Sequence, residues 1–135
     1  MKQHQTTLTL GILCVIFSVA ILCCKKDATP EQPRLIRYIL YTKQDFSAEH
    51  DTIRFRIYMA TKAKTLFDSG IVPMTISAVP DQQHQLVFEK KVPFGYEKEK
   101  LKVGFIYDID NVGESWYLDS CLVGEATKTV EYSFK

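Results

Sequence analysis

From Thr52 to Met59 the chain reads Thr-Ile-Arg-Phe-Arg-Ile-Tyr-Met, alternating apolar and polar side chains. In extended backbone Ile53, Phe55, Ile57 and Met59 share one face, and Arg54, Arg56 and Tyr58 share the other. A helix would scatter the same residues around its axis, so the pattern predicts a strand with one buried face. Leu101 to Tyr107 repeats it, with Leu101, Val103, Phe105 and Tyr107 as the buried set. Gly104, on the opposite face, predicts a bulge or a close backbone contact.

Weaker strand signals fill the rest of the chain. Leu35 to Thr42 is apolar on both faces, which predicts a central or covered strand. Lys64 to Asp68 and Met74 to Ala78 flank a break at Ser69-Gly70-Ile71-Val72-Pro73, and Gln85 to Val92 alternates less cleanly. Trp116 to Leu122 and Thr129 to Phe134 close the chain, with Val130, Tyr132 and Phe134 on one face. Pro73, Pro80 and Pro93 fall at strand limits, because proline cannot donate to a ladder. Asp45 to Asp51 is short and polar, so it reads as a loop, and no stretch carries a sustained 3.6-residue apolar period. About seven short strands separated by turn signals predict an all-β fold. An immunoglobulin-like or related antiparallel β-sandwich comes first, and a small barrel is the alternative.

A different signal occupies the N-terminus. Lys2 precedes a nearly uninterrupted apolar run from Leu8 to Leu22. A basic start followed by an apolar core is the pattern of a helical export signal. As a helix the run rises only about 22 Å at ~1.5 Å per residue, short of the ~30 Å hydrocarbon core. It ends at Cys23-Cys24-Lys25-Lys26-Asp27. The Val19-Ala20-Ile21-Leu22 run before the cysteines fits an A-x-A cleavage site poorly. Residues 1–23 thus read as a signal and residues 24–33 as a tether with two prolines and four charges. Residues 34–135 read as the β-sandwich domain, a length that suits one small core.

Charge and cysteines narrow the function. Without residues 1–23 the chain keeps 16 Lys plus Arg (17 less Lys2) against 16 Asp plus Glu, with no basic run. Nucleic-acid binding needs clustered Lys or Arg, so nucleic acid is not an expected partner. Cys14 lies in the signal, and with Cys23 and Cys24 assigned to processing only Cys121 remains. No disulfide can then form within the domain, and Cys121 reads as a buried apolar residue rather than a reactive thiol.

Candidate motifs are few. Asp108-Ile109-Asp110-Asn111-Val112-Gly113 has the alternating carboxylates of a calcium loop. Val112 stands where an oxygen ligand belongs, and Asp119 where a Glu belongs. The stretch reads as a hairpin turn. His50 and His84 lack neighbours at metal-ligand spacing, and Ser69-Gly70 lacks the context of a nucleophile elbow. No catalytic residue, metal site or cofactor is expected. Trp116, Tyr117 and Tyr96, with Phe94, form a candidate aromatic platform for a sugar or peptide. The competing expectation is that a disulfide-free domain spends these aromatics on its core.

The Cys-Lys-Lys-Asp run at Cys24 resembles the processing site of Bacteroidetes-type outer-membrane lipoproteins, although the residue before that cysteine is Cys23 rather than Gly, Ala or Ser. Asp110 to Tyr117 and Leu101 to Phe105 resemble segments of small, uncharacterised lipoproteins of that type. The resemblance implies acyl chains of the palmitate kind on Cys24, with Cys23 as the alternate, and a lipid anchor in the outer membrane. Two or more chains hold a protein stably on a bilayer. The function expected is a non-enzymatic binding or structural accessory domain with an unidentified protein or glycan partner. The alternative is a surface glycan- or small-ligand-binding module.

Overall fold

A computed structural model describes residues 33–135. The signal 1–23, the lipidation candidates Cys24 and Cys23, and the tether up to residue 32 lie outside the described residues.

Eight strands run in chain order: β1 (Leu35–Thr42), β2 (Thr52–Ala60), β3 (Thr65–Gly70), β4 (Met74–Thr75), β5 (Leu86–Lys91), β6 (Leu101–Ile109), β7 (Gly113–Cys121) and β8 (Thr127–Phe134). They form a three-stranded sheet, β5-β1-β8, and a second sheet in the order β3-β2-β6-β7, with β4 pairing β2. The domain is an all-β sandwich, as the alternation predicts. The expected run of strand through Ala78 is shorter: after Thr75 the chain turns through a 3₁₀ segment, Ile76–Ala78. That turn buries Ile76, and Val79 N–H donates to the Ile76 carbonyl.

The order β3-β2-β6-β7 matches the C′-C-F-G order of an immunoglobulin sheet, and β1 beside β5 matches its B–E pair. The departure lies on the other side of β1. There the last strand, β8, runs parallel to it from Leu35↔Thr127 to Thr42↔Phe134, while all other strand pairs are antiparallel. β1 is therefore central in its sheet, which accounts for its apolar character on both faces.

The core lies between the sheets. β1 contributes Ile36, Tyr38 and Leu40; β2 contributes Ile53, Phe55, Ile57 and Met59; β6 contributes Leu101, Val103 and Phe105; β8 contributes Val130 and Phe134. Tyr38 and Phe105 meet edge to face at 5.7 Å across the sandwich. The Tyr38 hydroxyl donates to the Tyr58 carbonyl, so this buried polar group is satisfied. Tyr107, assigned to the buried set, is only half-buried near the sheet rim. Gly104 marks a close backbone contact and not a bulge. Register runs unbroken through Tyr58↔Gly104 and Gly104↔Leu118, and a Cβ there would collide with the Tyr117 carbonyl oxygen.

Candidate functional site

Neighbouring residues of a strand point to opposite faces, and this separates the aromatic candidates. Trp116 pairs with Ile106, and Ile106 with Arg56, so Trp116 stands on the outer face of β3-β2-β6-β7. It is 66% exposed. Tyr117 pairs with Phe105, turns to the inner side, and stacks on Tyr132 at 4.8 Å and 17°. Tyr132 continues the stack to Tyr107, and burial with that neighbour holds the Tyr132 hydroxyl well above its ordinary pKa. Tyr96 packs half-buried against the core in the β5–β6 loop, whereas Phe94 in the same loop is almost wholly exposed. Trp116, Tyr117 and Tyr96 therefore do not form one platform. The expectation that the core takes these aromatics holds for Tyr96 and fails for Trp116 and Phe94. Along β7 exposure extends from Gly113 through Leu118. This is the edge strand of its sheet, so Trp116 has β6 on one side only.

Three rows cross the outer face. One runs Asp68, Tyr58, Gly104, Leu118; the next Arg56, Ile106, Trp116; the third Arg54, Asp108, Glu114. Arg56 Nη1 donates to Asp68 at 2.8 Å and Nη2 to Glu114 at 2.6 Å. Arg54 Nη1 donates to Asp110 at 2.5 Å and reaches Asp108 at 3.4 Å. The Arg54 guanidinium holds the Asp110 carboxyl below its ordinary value, and Asp110 raises Arg54 in turn. The carboxylates of the supposed calcium loop thus answer an arginine. Asn111 (φ 62°) and Gly113 (φ 110°) take left-handed backbone, and Val112 N–H donates to the Ile109 carbonyl, which is a hairpin turn. Among the described residues no three His, Cys, Asp or Glu side chains converge to hold a metal ion.

Polar clefts of about 640 and 360 Å³ open near Thr42, Asp45 and Asp81. Their side chains are engaged locally. Thr42 Oγ1 donates to the Phe134 carbonyl, Asp45 accepts from Ser47 N–H, and His84 Nδ1 lies 2.9 Å from Asp81 Oδ1. Ser77 Oγ donates to Thr75 Oγ1.

The feature that strand patterning misses is Arg34. It is 4% exposed, and all five of its N–H donors are used. Nε donates to the Glu125 carbonyl at 3.1 Å; Nη1 to the carbonyls of Glu97 at 2.9 Å and Glu99 at 2.7 Å; Nη2 to the Leu122 carbonyl and to Cys121 Sγ, both at 2.8 Å. Cys121 is fully buried, as expected, and serves as an acceptor as well as filler. Burial raises its thiol pKa despite the adjacent guanidinium and so favours the neutral thiol.

Comparison with family models, curated proteins and solved structures returned no match.

Proposed function

We propose that the chain is a lipid-anchored protein of the outer membrane, held by acyl chains on Cys24, whose domain works by binding and not by catalysis. The outer face of β3-β2-β6-β7 is its contact surface. The observation that carries this reading is Trp116, a large aromatic held in the open beside Ile106 and Leu118 and flanked by the Arg56 and Arg54 ion pairs. An exposed aromatic set among charged donors is the composition of an interaction hot spot. The face is a sheet surface, and the clefts at Thr42–Asp81 do not include Trp116 in their linings. A surface without a deep pocket suits a protein partner. Trp116 also favours the second reading, a glycan site, because a tryptophan ring packs on the apolar face of a sugar while neighbouring charges hydrogen-bond its hydroxyls.

One set of strains tests both halves. Cys24→Ala should abolish incorporation of an alkyne-labelled fatty acid and leave the precursor uncleaved; persistent labelling moves the anchor to Cys23 or ends the lipoprotein reading. Crosslinking of intact envelopes through a photoreactive group at Leu118, two residues from Trp116 on the same outer face, should yield a discrete adduct that Trp116→Ala reduces at least several-fold at unchanged melting temperature. Equal crosslinking in both strains would remove Trp116 from the contact surface. An adduct that shifts on glycosidase treatment would select the glycan reading.

A further inference from the structure

The chain enters the sandwich at Pro33–Arg34, and two long loops converge there. The β5–β6 loop (92–100) and the β7–β8 loop (122–126) both present carbonyls to the Arg34 guanidinium. Backbone bonds complete the junction: Val92 N–H donates to the Arg34 carbonyl and Leu35 N–H to the Ala126 carbonyl. These clamped loops expose three large apolar side chains, Phe94 (96%), Leu122 (52%) and Val123 (59%). Leaving such groups in water beside the point of entry gives nothing to the fold.

Each loop carries a carboxylate bonded to its own backbone. Glu97 accepts the Gly95 N–H at 2.8 Å, and Glu125 accepts the Leu122 N–H at 2.6 Å. Two of the acidic groups at this end are therefore turned onto their own backbone. The same end carries Lys62 and Lys64 in the β2–β3 loop, Lys98 and Lys100 in the β5–β6 loop, and Lys91 at the end of β5, with Glu99 as the further loop carboxylate. The opposite end is reversed in charge. It holds Lys43 and Lys135 against Asp45, Glu49, Asp51 and Asp81, with Asp110 paired to Arg54, and its exposed Val72 and Val112 stand alone on their loops.

We propose that the Arg34 end of the domain docks on the surface of an anionic bilayer, the one to which the chain is anchored, with Phe94, Leu122 and Val123 entering the interfacial layer. This rests on the anchoring reading above. Apolar side chains and lysines presented at one end are the composition that interfacial binding rewards, and each lysine near an anionic surface adds attraction. A ten-residue tether reaches about 35 Å at full extension. It therefore holds the domain at an effective concentration near millimolar against the surface, where a weak contact is populated. The tether delivers this end first, and the acidic end is repelled. Docking would leave the Trp116 face, which lies along the side of the sandwich, free for a partner.

The test uses the full chain in vesicles of equal parts phosphatidylcholine and phosphatidylglycerol. In a Trp116→Phe background, Phe94→Trp should show a blue-shifted emission that lipids brominated near the headgroup quench several-fold more than they quench Val112→Trp at the other end. Equal quenching of the two reporters, or an unquenched Phe94→Trp in protein that floats with the vesicles, overturns the docking. A blue shift without lipid quenching places a protein there instead and also overturns it. Flotation and the mass of the Cys24 peptide report the anchor separately. If the chain is neither acylated nor floated, the anchoring reading falls, and quenching of Phe94→Trp at millimolar lipid still decides the docking.

Discussion

Arg34 and Arg56 use the same side chain in opposite ways. Arg34 is buried at one end of the sandwich and gives all its donors to four backbone carbonyls and a sulfur. Arg56 lies on the outer face and pairs with Asp68 and Glu114, all three partly exposed. A buried guanidinium is tolerable only when each donor is met, and its removal strands the acceptors as well. An exposed pair is screened by water and loses side-chain entropy in forming. The acceptors also differ in chain position. Those of Arg34 lie 63 to 91 residues away, on two loops and the end of β7, which its one side chain gathers at the start of β1. Those of Arg56 sit on β3 and β7, in a sheet already joined by ladders.

That contrast is open to test. The largest effect belongs to Arg34→Met, which keeps the apolar stem and deletes the fork. Urea denaturation should show a loss of about 4 kcal/mol, a large part of the stability of a domain this size. A loss below about 1 kcal/mol would reduce the clamp to a surface pair. Next comes Arg56→Ala, expected to cost at most about 1 kcal/mol and to cost nothing measurable in molar salt. A larger, salt-resistant loss would erase the distinction. The smallest effect is in pH. Arg54 holds Asp110 below its ordinary 3.8, so that pairing contributes stability above 3.8 and loses it as pH falls through the lower folded value. Arg34 bonds to four carbonyls and a thiol, none of which titrates in acid. Arginine side-chain NMR signals should therefore shift for Arg54 in acid while the Arg34 Nε–H stays protected until global unfolding; simultaneous loss of both would contradict this.

The sequence reading succeeds where one strand reports on itself. β2 and β6 are legible because period-2 alternation needs no knowledge of neighbours, and the Asp110-Asn111-Val112-Gly113 turn because its backbone angles select its residues. Met74 to Ala78 misleads because an apolar residue entering the core from a 3₁₀ turn looks like one entering from a strand. The aromatic platform fails on a rule already available: Trp116 and Tyr117 are adjacent, so one strand cannot place both on one face. Arg34 is illegible for a different reason. Four of its five partners are main-chain carbonyls, which every residue carries, so no residue type marks them.

The pairing of β1 with β8 constrains time as well as space. β1 is the first of the described strands and β8 the last, and they lie side by side in parallel. One edge of β1 therefore waits for β8, and Tyr38 and Leu40 wait for the packing that Val130 and Phe134 complete. Closing the longest loop late makes folding slow compared with chains built from local pairs. Until β8 is made, β1 has β5 alone beside it, and the three-stranded sheet keeps an open edge that only the last of the described strands can close.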